Sequence, residues 1–288
     1  MAALRLRSVA FIFYLKSIFI TNYSQIVSWG YFLYNFGVSK IFLSVVIPSF
    51  NEMANLQKGV LDKVDGFLKK KKFEYEVIVV DDGSNDGSVE FVEKFTKEHL
   101  QFKLQKNSHL GKAGAVTAGV LASEGKCVLF TDMDQATPIE EVDKLLPYFE
   151  EGYDIVIGSR KTMRKGSPMT RQIISRAAIV LRKVIVGLSE ISDTQCGFKA
   201  FKSDVAKELF GRINKVHNGF RKISGSDVTF GFDVELLYLG KQMGYAIKEV
   251  PINWLYVETR RVNPVKDSIY GLVELIKVRM NAEGGKYK

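Results

Sequence analysis

The sequence predicts an α/β fold with a mostly parallel sheet and helices on both of its faces. Strand patterns alternate with helical patterns from residue 41 onward, which is typical of this class. The strands are continuous apolar runs, as expected where both faces of a sheet are covered. Polar residues follow several of these strands, at the edge where such folds bind ligands. Hydrophobic residues make up 46% of the chain, which is enough for a sizeable core.

The elements can be predicted in order along the first half of the chain. Strands are expected at 41–48, 74–82, 102–105, 126–134 and 154–158. Helices are expected at 55–70, 88–99, 114–123 and 139–149. Because the carboxyl ends of parallel strands meet at one edge, the polar residues that follow these strands should converge there.

The second half contains two amphipathic helical patterns. A basic loop (KTMRKGSPMT) leads into a helix predicted over 171–188, and another helix begins near Pro264. The apolar stripe of the last helix contains Ile269, Leu272, Val273, Ile276 and Met280. Such helices can lie on an anionic membrane or pack on the core with a solvated basic face, and both interpretations remain open. The segment 214–229 resembles an insertion.

Residues 1–40 form a hydrophobic and aromatic segment that differs from the folded domain predicted over 41–288. No charged residue occurs between Lys16 and Lys40, but polar residues dilute the apolar character. The segment is therefore interpreted as an interfacial anchor, a membrane span or a helix packed on the domain.

The charge balance indicates an anionic partner. Lysine and arginine number 41 and acidic residues 32, a net charge of +9. Nucleic acid is not the expected partner, because the basic residues are dispersed and do not alternate with aromatic residues along one face. Cys127 and Cys196 provide neither a disulfide framework nor a metal cluster, so we expect a reducing, cytosol-facing location.

Asp132 and Asp134 are the first candidates for a chemical role. They lie one residue apart at the end of a predicted strand, and paired carboxylates suit Mg²⁺ or Mn²⁺. Solvated aspartates also commonly follow strands, so the pair is not sufficient evidence by itself. In VVDDGSNDG, Asp82 could bind a ribose or base, or Asp82 or Ser84 could cap the next helix. Lys112 opens a glycine-rich helix and could approach phosphate oxygens.

Six motifs then occur in a characteristic order: VVIPSFNE, VVDDGSNDGS, GKAGAV, FTDMDQATP, IVIGSR and DTQCGFKAF. Together they resemble the inverting family 2 glycosyltransferases of GT-A fold, over roughly residues 43–279. The motifs FGFDVELLYL and VPINW, followed by RVNPVKDS, look most like the dolichyl-phosphate β-glucosyltransferases and related polyprenyl-phosphate sugar synthases. Val257 stands where the mannosyl synthases carry an additional arginine, which favours the glucosyl type.

The resemblance implies roles for individual residues. Asp134 matches a direct metal ligand, and Asp132 lies nearer the sugar-nucleotide. Arg160 matches an arginine near a donor or acceptor phosphate, and Phe50 stands where tyrosine is usual. The full set expected to bind the sugar-nucleotide is Pro48, Phe50, Asn51, Glu52, Asp82, Lys112, Asp132, Met133, Gln135 and Arg261. The residues expected at the reaction are Asp132, Asp134, Arg160 and Asp233.

The resemblance also implies a reaction. A hexose, with glucose favoured, would pass with inversion from a nucleotide-diphosphate sugar, with UDP-glucose favoured, to polyprenyl or dolichyl phosphate. Such an acceptor is already anionic and needs no general base, whereas an alcohol acceptor would need one, for which Asp233 is a candidate. We expect a membrane-associated enzyme. Transfer to a soluble or glycan acceptor, GDP-mannose-dependent mannosyl transfer and a non-catalytic nucleotide-sugar binder are the alternatives.

Overall fold

A computed structural model of the chain describes residues 40–160, 185, 187–220, 231–255 and 264–287. The strands in these ranges are β1 (Ile41–Ser49), β2 (Glu74–Asp81), β3 (Phe102–Lys106), β4 (Cys127–Phe130), β5 (Ile155–Ser159), β6 (Lys199–Lys202) and β7 (Ile247–Pro251). The helices are α1 (Met53–Leu56), α2 (Val60–Leu68), α3 (Ser88–Glu98), α4 (Gly111–Ala122), α5 (Val142–Leu145), α6 (Pro147–Glu150), α7 (Ser203–Val216), α8 (Phe232–Gln242) and α9 (Pro264–Glu283). A 3₁₀ turn, Ile139–Glu141, precedes α5.

The seven strands form one sheet in the order β3-β2-β1-β4-β6-β5-β7. All neighbouring pairs are parallel except those of β6, which runs antiparallel to β4 and β5. The predicted α/β class with a mostly parallel sheet is therefore confirmed. Because β6 runs in the opposite direction, its first residue, Lys199, pairs with Phe130 and Ile157 near the carboxyl ends of β4 and β5.

Apolar side chains cover both faces of the sheet. Alternate residues of β1 point to opposite faces, so Val46 belongs to one core and Val45 and Ile47 to the other. The first core includes Val116, Phe201, Phe210 and Leu237, and the second includes Leu61, Val64, Val79 and Val92. The strands are thus buried on both sides, as their continuous apolar sequences predicted.

Helix α4 lies unusually close to the sheet. A Cβ atom added at Gly119 would lie 2.5 Å from Val46 Cγ1 and 2.8 Å from Val80 Cγ2, so only glycine fits there. The small residues of GKAGAVTAGV therefore fix the height of the helix above β1 and β2. This contact brings the first turn of α4, with Lys112, to the carboxyl edge of the sheet.

Several predicted elements differ in detail. The helix expected over 55–70 is divided into α1 and α2, because Gly59 adopts a left-handed φ of 70° between them. The helix expected over 139–149 is broken before Pro147, which lacks the N–H that would continue the hydrogen bonding. The sequence analysis did not identify α7, α8 and β6. The helix expected over 171–188 lies mostly outside the described residues.

Helix α9 begins at Pro264 as predicted, but its apolar stripe is not buried where side chains are described. Val273, Ile276 and Met280 are exposed by 42%, 45% and 65%, whereas Leu275 and Val278 are buried. The stripe predicted from the sequence therefore faces outward at these three positions. Among the residues that the structure describes, no helix combines the length and apolar character needed to cross a membrane.

Candidate active site

The loops that follow β1 and β2 are joined by polar contacts. The N–H of Asn51 donates to Ser84 Oγ at 2.9 Å, and the N–H of Asn85 donates to Asn51 Oδ1 at 2.9 Å. The N–H of Glu52 donates to Ser88 Oγ at 3.1 Å. Asn51 is held at a φ of 54°, a left-handed conformation that asparagine tolerates. The segment that begins at Pro48, the penultimate residue of β1, is therefore fixed against the loop after β2.

Asp82 caps the start of α4. Its Oδ1 accepts the N–H of Leu110 and its Oδ2 the N–H of Gly111, both at 2.7 Å. The residue is 3% exposed, and burial raises the pKa of its carboxyl group. Both oxygens accept backbone N–H groups, so the structure shows a capping role for Asp82, while its contact to a ribose or base stays a prediction. The cap belongs to α4, whereas the helix directly after this loop, α3, receives its cap from Asp86.

Phe50 stacks on a histidine that the sequence did not single out. The ring centroids of Phe50 and His109 are 4.3 Å apart and the rings are 24° from parallel. His109 Nδ1 lies 2.8 Å from the carbonyl oxygen of Asp82, at a residue with a φ of 62°. An aromatic pair thus lies beside the β1 and β2 loops. Only the glycine-rich context of HLGK could have indicated that His109 belongs to this edge.

Asp132 pairs with Lys112 across the edge of the sheet. Lys112 Nζ lies 2.5 Å from Asp132 Oδ1, and both side chains are partly exposed. Partial burial acts to lower the pKa of Lys112, but the carboxylates of Asp132, Asp233 and Asp134 raise it above its usual value. Gly197 lies so close that an added Cβ would be 2.1 Å from Asp132 Oδ2. Only glycine, which has no Cβ, therefore fits at residue 197 without a shift of this carboxylate.

Asp134 has no ion pair within the described ranges. Its Oδ1 accepts the N–H of Ala136 at 3.0 Å, and its pKa is raised by burial and by the charge of Asp132. Gln135 makes the turn at a φ of 48°, and its Nε2 donates to the Asp132 carbonyl at 3.0 Å. Met133 is 2% exposed and packs in the second core, so its side chain anchors the triplet and does not face a ligand.

Arg160 binds Asp193 with three hydrogen bonds. Its Nε and Nη2 donate to the two carboxylate oxygens at 2.7 and 2.8 Å, and its N–H donates at 3.0 Å. Burial acts to raise the pKa of Asp193, but these bonds and the charge of Arg160 outweigh it and hold the pKa below its usual value. Glu249 fixes the same loop by accepting the N–H groups of Ser192 and Asp193. Arg160 also lies 5.9 Å from the ring of Trp254.

Asp233 is the second residue of α8 and is paired with Lys199. The ammonium of Lys199 donates to Asp233 Oδ1 and to the carbonyl of Cys196. The Lys199 side chain is fully buried, while that of Asp233 is 17% exposed. Asp233 is therefore ion-paired with a buried lysine, and the general-base role considered for it stays a prediction. The sequence FKAF, in which a lysine stands within an apolar run, was the feature that could have indicated a buried Lys199.

A small cavity opens between the carboxyl ends of β4 and β5. It has a volume of about 50 Å³, and its lining residues are Thr131, Asp132, Ala136, Thr137, Arg160, Gln195, Cys196, Gly197 and Trp254. Loops from distant parts of the sequence thus meet at one point. Trp254 was not predicted as a site residue, although it belongs to the VPINW motif. Arg261, expected to bind the sugar-nucleotide, lies outside the described residues.

The charges of this site suit one more cation. In the described part of the chain, three carboxylates of the site are each paired with one cation: Asp132 with Lys112, Asp193 with Arg160 and Asp233 with Lys199. The fourth carboxylate, Asp134, has no such partner there. Burial, and then the neighbouring charge of Asp132, raise the pKa of Asp134 and so disfavour its negative charge. A divalent ion would relieve this repulsion. Within the described ranges no three His, Cys, Asp or Glu side chains surround one point, so further ligands would come from phosphate and water.

Comparison with known proteins agrees with this geometry. The model of the family described as glycosyl transferase family 2 matches residues 44–210, more than half of the chain. The chain belongs to glycosyl transferase family 2. It is 33% identical over 240 residues to the dolichyl-phosphate beta-glucosyltransferase of Drosophila melanogaster, covering 77% of this chain and 69% of that protein. It is 30% identical over 269 residues to the enzyme of the same name from Dictyostelium discoideum, covering 87% and 78%.

Solved structures support the fold of this family 2 glycosyltransferase. Mannosyl-3-phosphoglycerate synthase from Rubrobacter xylanophilus aligns with a TM-score of 0.61 at 16% identity, covering 85% of this chain and 75% of that chain. A likeness at this identity concerns the fold alone. The predicted GT-A type of fold and the predicted enzyme class, a glycosyltransferase, are thus both confirmed.

Proposed function

We propose that this glycosyltransferase transfers glucose, with inversion, from UDP-glucose to dolichyl phosphate or a related polyprenyl phosphate. The relatives named dolichyl-phosphate beta-glucosyltransferase support the sugar and the acceptor. The observation that carries the proposal is the pairing of the carboxylates at the site. Asp132, Asp193 and Asp233 are each ion-paired with a lysine or arginine of the site.

In each of these pairs a carboxylate oxygen already contacts the lysine or arginine, so it is less accessible to the hydroxyl group of an acceptor. An alcohol acceptor must lose a proton as it attacks, so it needs a base at the reacting oxygen. A phosphate monoester already presents an anionic oxygen at neutral pH and needs none. Asp134, the remaining carboxylate of the site, would be engaged by the divalent ion. Of the two acceptor classes, the phosphate is therefore the one that this set of side chains suits better.

Residues of the site also suit the departure of the nucleotide diphosphate. Asp132 and Asp134 would hold a divalent ion, Mg²⁺ or Mn²⁺, which supplies positive charge to the leaving phosphates. Lys112 and Arg160 would add charge-assisted hydrogen bonds to phosphate oxygens. Phe50 and His109 would offer an aromatic surface to the nucleobase, beside the fixed loops that contain Asn51 and Glu52.

An acceptor of this type requires contact with a membrane, which we propose occurs on the cytosolic face. The net charge of +9 favours anionic lipid surfaces, and Val273, Ile276 and Met280 present apolar side chains to the outside of α9. Flotation of the protein with vesicles that contain anionic phospholipid would test this part independently of activity.

The direct test is a transfer assay with purified protein, Mn²⁺ or Mg²⁺, and a matched pair of acceptors. Dolichyl phosphate should accept glucose from UDP-glucose to give a β-linked product, whereas dolichol, which lacks only the phosphate, should accept none. Transfer from GDP-mannose instead would correct the donor. Transfer to dolichol or a soluble glycan would refute the phosphate acceptor. Donor binding without any product from these acceptors would favour a non-catalytic binder.

A further inference from the structure

Lys199 is a charged residue buried in the centre of the sheet. Its side chain has no exposed surface, and its backbone pairs with Phe130 on one side and Ile157 on the other. Burying an ammonium group is costly unless it is paired and hydrogen-bonded. Its nitrogen contacts Asp233 Oδ1 and the Cys196 carbonyl, and it lies 5.3 Å from the Phe130 ring centroid. The expected reaction chemistry does not account for such a group.

Lys199 and its partner Asp233 lie one short segment away from the Lys112–Asp132 pair. The ammonium of Lys199 contacts both Asp233 Oδ1 and the Cys196 carbonyl. The next residue, Gly197, lies directly against the Asp132 carboxylate. Lys112 is at present bound to Asp132, the residue expected to meet a divalent ion. A carboxylate next to Lys112 without a partner of its own would compete for that ammonium group, because opposite charges at short range attract strongly in a poorly solvated site.

We propose that Lys199 is a positioning residue that binds Asp233 and so keeps Lys112 available for the donor diphosphate. The inference rests on the diphosphate donor of the proposed function, not on the identity of its acceptor. If Asp132 helped to hold a divalent ion, Lys112 would lose the partner that it has in this structure. With Asp233 already neutralised by Lys199, the next anion within reach of Lys112 is a phosphate.

Removing Lys199 should therefore weaken nucleotide binding through Asp233. In Lys199→Met the shape of the side chain is nearly kept, but the Asp233 carboxylate loses its counter-charge and turns toward Lys112 or Arg160. The site then becomes more negative and repels a diphosphate. If Asp233 is also changed to Asn, no competing charge remains, and Lys112 is available again without Lys199.

The experiment is a charge-rescue cycle that measures UDP affinity by calorimetry in the presence of Mn²⁺, well below the unfolding temperature. Lys199→Met should weaken UDP binding about 10-fold, Asp233→Asn should not weaken it, and the double variant should bind within about threefold of the wild type. Lys202→Met is the matched control, because Lys202 is on the same strand and pairs with Asp154 at 2.8 Å. It should bind UDP like the wild type.

Two results would overturn the proposal. One is a folded Lys199→Met variant that binds UDP like the wild type, as a purely structural lysine would allow. The other is a double variant that binds UDP at least 10-fold more weakly than the wild type. The second comparison holds even if Lys199→Met alone does not fold, because removing both buried partners leaves neither charge unpaired.

These results are distinguishable from failure of the proposed function. UDP binding needs no acceptor. A wild-type protein that binds UDP but forms no lipid-linked product would therefore contradict the proposed acceptor, and UDP affinities of the variants could still be compared. Conversely, the wild type could transfer glucose to dolichyl phosphate while the double variant still binds UDP weakly. That result would support the proposed function and contradict the positioning role of Lys199.

Discussion

The two halves of the sheet edge hold their carboxylates in different ways. In the β1–β2 half, comprising residues 48–52, 81–88 and 109–111, Asp82 is held by backbone N–H groups. In the β4–β5 half, comprising residues 131–136, 160, 193–199 and 233, Asp132 and Asp193 are held by lysine and arginine side chains. Backbone donors are fixed by the fold, whereas side-chain cations can exchange one anion for another.

From this difference we expect the β1–β2 half to be held in place by the fold and the β4–β5 half to exchange its ion pairs when a ligand binds. Neutralising a carboxylate in the β1–β2 half should mainly reduce stability. Neutralising one in the β4–β5 half should mainly reduce turnover. The following variants test this expected difference between the two halves.

Asp134→Asn should have the largest effect. The change removes the charge that would hold a divalent ion and leaves the shape and the Ala136 contact nearly intact. We expect turnover to fall by about 1,000-fold or more, by analogy with the loss of other electrostatic groups in active sites, with little change in melting temperature. The control is Asp143→Asn, an exposed aspartate that pairs with Lys71. More than a tenth of wild-type turnover in Asp134→Asn would contradict a metal role.

Gly197→Ala should come next. The new Cβ would fall 2.1 Å from Asp132 Oδ2, so either the carboxylate or the loop before β6 must move. A displacement of this size at a reaction centre should reduce kcat/KM by about 100-fold. Gly211→Ala is the matched control, since its Cβ would meet nothing within 4 Å on helix α7. That variant should keep full activity and gain about 0.5–1 kcal/mol of stability.

Asp82→Asn tests the other half. The amide of asparagine keeps only one of the two acceptor oxygens, so the N–H of Leu110 or Gly111 loses its partner, and we expect the free energy of unfolding to fall by about 2 kcal/mol. Nucleotide affinity, measured where the variant is fully folded, should change by less than about fivefold, because the carboxylate already serves the protein. Undiminished stability with a collapse in UDP affinity would show instead that Asp82 contacts the nucleotide directly.

The smallest effect concerns acid stability. The pKa of Asp193 is lowered in the folded state, so its contribution is present above the unfolded value, near 4, and is lost as pH falls through the folded value. Each unit of lowering corresponds to about 1.4 kcal/mol. Chemical denaturation between pH 5 and 2.5 should show a shallower loss of stability in Asp193→Asn than in the wild type. An identical slope would mean that the Arg160 pair adds nothing to folding.

The sequence predicted the parts of this site that follow parallel strands. The positions of Asp82, Asp132, Asp134 and Arg160 at the ends of apolar runs were sufficient to place them at one edge. It did not predict the pairing of these residues, because an ion pair such as Lys112–Asp132 depends on the height of α4 above the sheet. That height is set by contacts at Gly119, which no local pattern reveals.

The residues missed by the sequence analysis share a physical cause. Lys199 is the first residue of β6, and Trp254 lies in the segment after β7. Strand β6 is only four residues long and runs antiparallel to β4. A strand so short carries little periodicity, and its direction cannot be inferred from its own residues. His109 was missed because its role depends on the ring of Phe50, 59 residues earlier in the chain.

The reversed direction of β6 has a consequence for how chains with this fold can diversify. A parallel strand would deliver its preceding connection to the far edge, but here the connection both leaves the candidate site at Arg160 and returns to it at Lys199. Its two ends are held by the Arg160–Asp193 and Lys199–Asp233 ion pairs. Because both ends lie at the same edge, insertions or deletions between them would leave the order of the strands unchanged.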